Sequence, residues 1–157
     1  MTSTPKPAVQ TSKLDTFIGK YLWIVNLLVV AGFLFSKGWI AVFMLYFWPV
    51  LILIFILQIV WFRSAYKLVQ SGAAPQYLLY VILVMSVALD IAYICLPGFG
   101  DTNEVGAFGY MATTSRTALY SANMVVYYTS LCIGAISFIY ALALYILAAA
   151  GQLSRKK

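Results

Sequence analysis

Residues 21–62 read YLWIVNLLVVAGFLFSKGWIAVFMLYFWPVLILIFILQIVWF, and Lys37 is the only charged residue among them. About 20 residues, rising 1.5 Å each, cross a hydrocarbon layer of roughly 30 Å. The stretch is therefore long enough for two crossings. Ser36-Lys37-Gly38 is the one place where the chain can return to water between them. A soluble core has no use for an apolar run of this length, so the fold class is an all-α integral membrane protein.

Working outward, the pattern predicts four transmembrane helices arranged as two antiparallel hairpins within a membrane domain spanning 17–151. The first helix covers about 17–35. The second covers 39–62 and continues past the membrane to 70, until Gly72 and Pro75 stop it. Pro49 lies near the middle of that crossing, where a missing N–H predicts a kink. The third covers 77–96 and ends sharply at Pro97-Gly98, and the fourth covers 122–150. Residues 1–16, polar and with two prolines, read as a flexible tail. Residues 152–157 form a basic tail.

The longest connection, 97–121, has glycine at 98, 100, 106 and 109 and polar groups at Asp101, Asn103 and Glu104. It reads as irregular backbone in contact with water. Thr113, Thr114 or Ser115 is placed to cap a helix that includes Arg116 and runs into the fourth crossing.

Of the 157 residues, 64% are hydrophobic and 9% charged, against about 25% charged in soluble domains. This leaves no room for a separate soluble catalytic domain. Lys and Arg outnumber Asp and Glu by 10 to 4. The bases flank hydrophobic runs, so they speak of membrane topology and not of a nucleic-acid partner. Lys6, Lys13, Lys20, Arg63, Lys67, Arg155, Lys156 and Lys157 fall on one side; only Lys37 and Arg116 fall on the other. Positive flanks favour the cytoplasm. Both termini are expected there, with loop 97–121 outside and the plasma (inner) membrane as the host.

Several chemistries drop out. The chain has no histidine, which removes His-ligated haem, His-ligated zinc and Ser–His or Cys–His catalysis. A serine nucleophile in the 97–121 loop has only Lys37 on its side as a base. Cys95 and Cys132 lie inside apolar segments without a CxxC spacing and read as small buried hydrophobes. The marks of disulfide-forming quinone-linked proteins, small multidrug exporters and fluoride channels are also missing. No cofactor, metal or enzymatic activity is expected.

Asp90 is the one acid inside an apolar segment. A charge in the bilayer interior costs at least a few kcal/mol, so such residues face protein or water and often mark a pathway. Counted from Leu96, it shares its depth with Tyr46, Tyr127, Tyr128 and Thr129. Tyr93 is one turn above it, and Ser86 is one turn below on its own face. These residues form the candidate intramembrane polar site. Asp90 serves there as a protonatable site for a proton or cation, as a neutral acid bonded to a tyrosine, or as a partner of Arg116. By the same counting, Asn26 and Gln58 lie near the opposite boundary and can bond to each other across helices. Trp23, Trp39 and Trp61 read as interfacial anchors, while Phe43, Phe47, Trp48 and Phe55 lie at mid-depth. Ser130, Gly134, Ser137 and Ala141 share one face of the fourth helix, where small side chains let a neighbouring backbone approach. The basic SRKK and RSAYK stretches can attract anionic headgroups, although setting topology is the simpler reading.

The function expected from this pattern is an accessory or structural subunit of a larger membrane complex, its partners being the lipid bilayer, other membrane subunits or further copies of itself. A small oligomeric proton-coupled carrier or channel using Asp90, with Pro49 as hinge, is the alternative. A third reading is a sensor or immunity-type protein that recognises a partner through 97–121.

Overall fold

A computed structural model of the chain describes residues 12–33, 42, 45–95 and 116–151, those at 33 and 116–120 by backbone alone. The helices are α1 Lys13–Lys20, α2 Leu22–Phe33, α3 Trp48–Gln70, α4 Tyr77–Cys95 and α5 Arg116–Ala149. Helices α3 and α4 and residues Ser121–Ala149 of α5 are each long and apolar enough to cross a membrane. Helices α1 and α2 meet the same test together, bent by 53°. The chain is an all-α, multi-pass integral membrane protein with three to four long hydrophobic helices.

Helix α1 begins inside the stretch read as a tail, four residues before the expected Phe17. Ser12 Oγ accepts from the Asp15 backbone N–H at 3.1 Å, and Asp15 Oδ2 accepts from the Ser12 N–H at 2.8 Å. This reciprocal cap satisfies two amides that a helix start otherwise leaves open. Asp15 is fully buried, and its Oδ2 also accepts from Gln76 Nε2 at 2.7 Å, tying α1 to the α3–α4 connection. The expected tail residues 1–11 lie outside the described residues.

The segment expected to be the first crossing is not one straight helix. Tyr21, at the end of α1, has φ −123° and ψ −16°, and α2 sets off from there in a new direction. The two halves answer to different neighbours. Thr16 Oγ1 shares a hydrogen bond with Tyr66 Oη of α3 at 3.2 Å. A Cβ on Gly19 would stand 2.5 Å from the Cβ of that same tyrosine, so α1 lies against α3. Helix α2 follows α4 instead, where Tyr93 Oη donates to the Val30 carbonyl at 3.1 Å.

The ladder breaks at Phe47 (φ −95°, ψ 27°), and Pro49 stands in the first turn of α3. The missing N–H costs nothing there, and the fixed φ suits a helix start. Residues 39–41, 43 and 44 of the expected second helix lie outside the described residues. At its other end α3 closes after Gln70: Ala73 N–H reaches the Leu68 carbonyl at 2.9 Å and Gly72 N–H the Val69 carbonyl at 3.0 Å. Gly72 has φ +69°, a backbone that glycine adopts without strain.

Helix α5 starts at Arg116, so the last six residues of the expected loop are helical. Its 34 residues reach about 51 Å, well beyond one hydrocarbon thickness. Its main neighbour is α4. Ser130, Gly134 and Ala141 are buried and Ser137 is half-buried. A Cβ on Gly134 would meet Leu89 Cδ2 at 2.7 Å. Near the far end, buried Asn123 donates from Nδ2 to the Cys95 carbonyl at 2.7 Å. That bond satisfies one of the carbonyls left open where α4 ends.

The core lies toward the end of the bundle that holds the α3–α4 connection. Ile18, Phe62, Val69, Leu78, Leu79 and Ile82 are essentially inaccessible there, with Ala141, Leu144 and Ala148 of α5 in the same cluster. Away from that end α3 has little protein around it. From Trp48 to Val60 none of its residues is buried; Trp48 is 58% exposed and Val60 60%.

Candidate functional site

The separation of α3 from its neighbours leaves a cleft of about 690 Å³ between α2, α3, α4 and α5. Its walls are mostly aliphatic and aromatic. Asn26, Gln58, Ser86, Asp90 and Tyr93 place polar groups in it, and Trp61 lines it as well.

Asn26 is the centre of this group. Its amide orientation follows from its partners. With the nitrogen toward Asp90 it donates to Asp90 Oδ2 at 3.0 Å and to the Leu22 carbonyl at 3.3 Å. Its oxygen then accepts from Gln58 Nε2 and from Ser86 Oγ at 3.3 Å. The reverse orientation offers only Nδ2 to Ser86 Oγ. Three helices are thus joined through one amide that is 5% exposed. Buried polar groups without partners are costly in an apolar medium, which is why these four residues stand together.

Asp90 is half-buried in the cleft wall. Tyr93, one turn along α4, spends its hydroxyl on the Val30 carbonyl. Trp61 Nε1 is buried with no hydrogen-bond partner among the described residues, and the Trp61 ring meets Phe138 edge-on with centroids 5.7 Å apart. Ser64 and Tyr145 hydroxyls, 2.8 Å apart, join α3 to α5 just beyond.

The residues grouped by depth in the sequence do not all meet. Asp90, Ser86 and Tyr93 line the cleft; Tyr46, Tyr127, Tyr128 and Thr129 do not. Tyr46 is 79% exposed and packs edge-on against Phe47. Tyr127 and Tyr128 pack against each other with centroids 5.1 Å apart, and Thr129 is exposed. Asp90 receives its hydrogen bond from Asn26, a residue placed near the opposite boundary by counting. The Arg116 side chain and residues 97–115 lie outside what is described. Cys95 is buried and Cys132 exposed, and neither is in a disulfide. Among the described residues no three of His, Cys, Asp and Glu stand together as a metal site requires. Sequence reasoning placed Trp61 at an interface. Its spacing of three from Gln58 was the available signal that both share the cleft-facing side.

No protein-family model matches the chain, nor does any curated protein or solved structure.

Proposed function

We propose that this chain is a non-catalytic subunit of a larger membrane assembly, and that α3 is the crossing it offers to its neighbour. The observation that carries this reading is the one-ended anchorage of α3. Phe62, Ala65, Tyr66 and Val69 are buried against the bundle, while Trp48–Val60 has no buried residue. Helices associate in lipid by close packing, and here most of a crossing carries no fully buried residue. Leu53 and Ile56, both more than half exposed, are absent from the cleft lining and mark the outer side.

The test is gentle extraction through a C-terminal tag, with a photo-crosslinking residue at Ile56 and native mass determination. Stoichiometric co-purification of other membrane subunits, crosslinked through Ile56, is the expected result. A monomer crosslinked only to lipid would overturn the reading.

A second reading is favoured by a separate observation, the presence of Asp90 in the wall of a 690 Å³ cleft. It makes the chain a small proton-coupled carrier with Asp90 as its protonation site. On this reading Asp90→Asn abolishes proton flux in reconstituted vesicles while expression and assembly persist. Unchanged flux, or loss of the protein from the membrane, would remove Asp90 from that role.

A further inference from the structure

A second concavity, of about 370 Å³, lies beside the α1–α2 bend and is lined by Lys20, Tyr21, Arg63, Tyr66, Lys67 and Gln70. Three cations from two helices share one small space. None of the chain's four acids lines it. Asp15, the nearest acid along α1, is engaged by the Ser12 amide and Gln76. The Gln70 amide is held by Tyr66 Oη at 2.9 Å, which fixes the floor. Like charges brought together in this way repel, and an anion between them offsets the repulsion. From sequence, topology is the simpler reading of these bases, although the RSAYK stretch can also attract anionic headgroups. The fold gathers three of the eight into a cup.

We infer that this cup binds the phosphate of an anionic lipid headgroup, a role separate from subunit assembly and from the Asp90 cleft. The headgroup chemistry follows from the three cations that line the cup. The lipid source follows from what adjoins them. Tyr21 of the cup leads directly into α2, whose Ile24 and Leu28 are exposed and apolar, so the cup adjoins surface suited to acyl chains. Trp23, whose Nε1 donates to the Lys20 carbonyl at 2.8 Å, stands at the junction of the two zones, the depth that indole rings favour.

The experiment is native mass spectrometry of the full-length protein in detergent, titrated with phosphatidylglycerol, with phosphatidylcholine of the same chains, and with inorganic phosphate. Phosphatidylglycerol should bind at least about ten-fold more tightly than phosphatidylcholine. Lys20→Gln, Arg63→Gln and Lys67→Gln should each weaken it by about five-fold, the typical effect of one basic residue beside an anionic surface. All three positions are exposed, and circular dichroism will identify any variant that misfolds; the remaining single variants then carry the test. The tail variant Arg155→Gln/Lys156→Gln/Lys157→Gln should bind as the unsubstituted chain does. Equal binding of the two lipids would overturn the assignment, as would equal loss in the tail variant. Phosphate bound as tightly as phosphatidylglycerol would overturn the lipid source and assign the cup to a soluble anion.

Discussion

Gly19 and Gly32 belong to the same hydrophobic stretch, yet a methyl group added to each meets opposite surroundings. At Gly19 it would collide with the Cβ and Cγ of Tyr66, atoms that cannot swing aside; at Gly32 it would meet nothing within 4 Å. Gly19→Ala should therefore lower stability by about 1–3 kcal/mol, the usual cost of overpacking. Gly32→Ala should hold or raise it by up to about 1 kcal/mol through helix propensity. Thermal unfolding of the two variants in one detergent checks this, and equal melting temperatures would contradict the close approach of α1 to α3. Asn26→Leu makes a different prediction. It strands Gln58, Ser86 and Asp90 together, and should cost about 1–2 kcal/mol by the same measurement, at the upper end for a polar group in a membrane bundle. This cluster was only half legible. Polarity within apolar runs singled out Asn26, Gln58 and Asp90 in the sequence. Their meeting was not readable, because counting 1.5 Å per residue from each loop assumes straight, upright helices. The 53° bend at Tyr21 invalidates that ruler.

Among the elements, α1 shows best how a local signal is missed. Ser12-Lys13-Leu14-Asp15 has the spacing of a capping box before an apolar run. The prolines and polarity of the preceding residues masked it. The buried contact of Asp15 with Gln76 depends on tertiary packing and has no local signature at all. Asp15→Ala would remove the acceptor for both the Ser12 amide and Gln76, a loss of about 1–2 kcal/mol. The expected readout is hydrogen exchange: amides in Thr16–Lys20 should exchange roughly ten-fold faster, while those of α4 and α5 keep their rates. Uniform acceleration along the chain would show instead that α1 is integral to global stability. Pro49 is the converse case. Its residue type predicts an interruption of the helix, and the turn at Phe47 places the proline in the first turn of α3. Sequence could not separate these outcomes, because proline suits a helix start as readily as it disrupts an interior.

For the whole molecule, hydropathy gave the fold class, since uninterrupted apolar length is a property of sequence alone. How the helices share their surfaces is not such a property. Leu79 and Leu53 are equivalent in hydropathy, yet one is fully buried and the other 55% exposed. The Ser64–Tyr145 hydrogen bond holds α3 to α5 beside the cleft, about one turn from the Trp61–Phe138 ring contact. Tyr145→Phe should change global stability by no more than about 1 kcal/mol but broaden the separation of spin labels placed at Leu57 and Leu142, on the two walls. An unchanged distance distribution would show that packing around Trp61 and Phe138 suffices to hold the walls.

Viewed mechanically, α3 is a lever clamped at Phe62–Val69 and tied to α2 by the Gln58–Asn26 bond. Its length from Phe62 to Trp48 is about 21 Å. A rotation of about 10° at the clamp would carry Trp48 through about 4 Å. The width of the polar cleft is thereby geared to helix tilt, the quantity a bilayer adjusts when its thickness differs from that of the apolar segment. A thicker or thinner membrane would set how far apart Gln58 and Asp90 are pulled, so the bilayer becomes a mechanical input to the Asn26 hub.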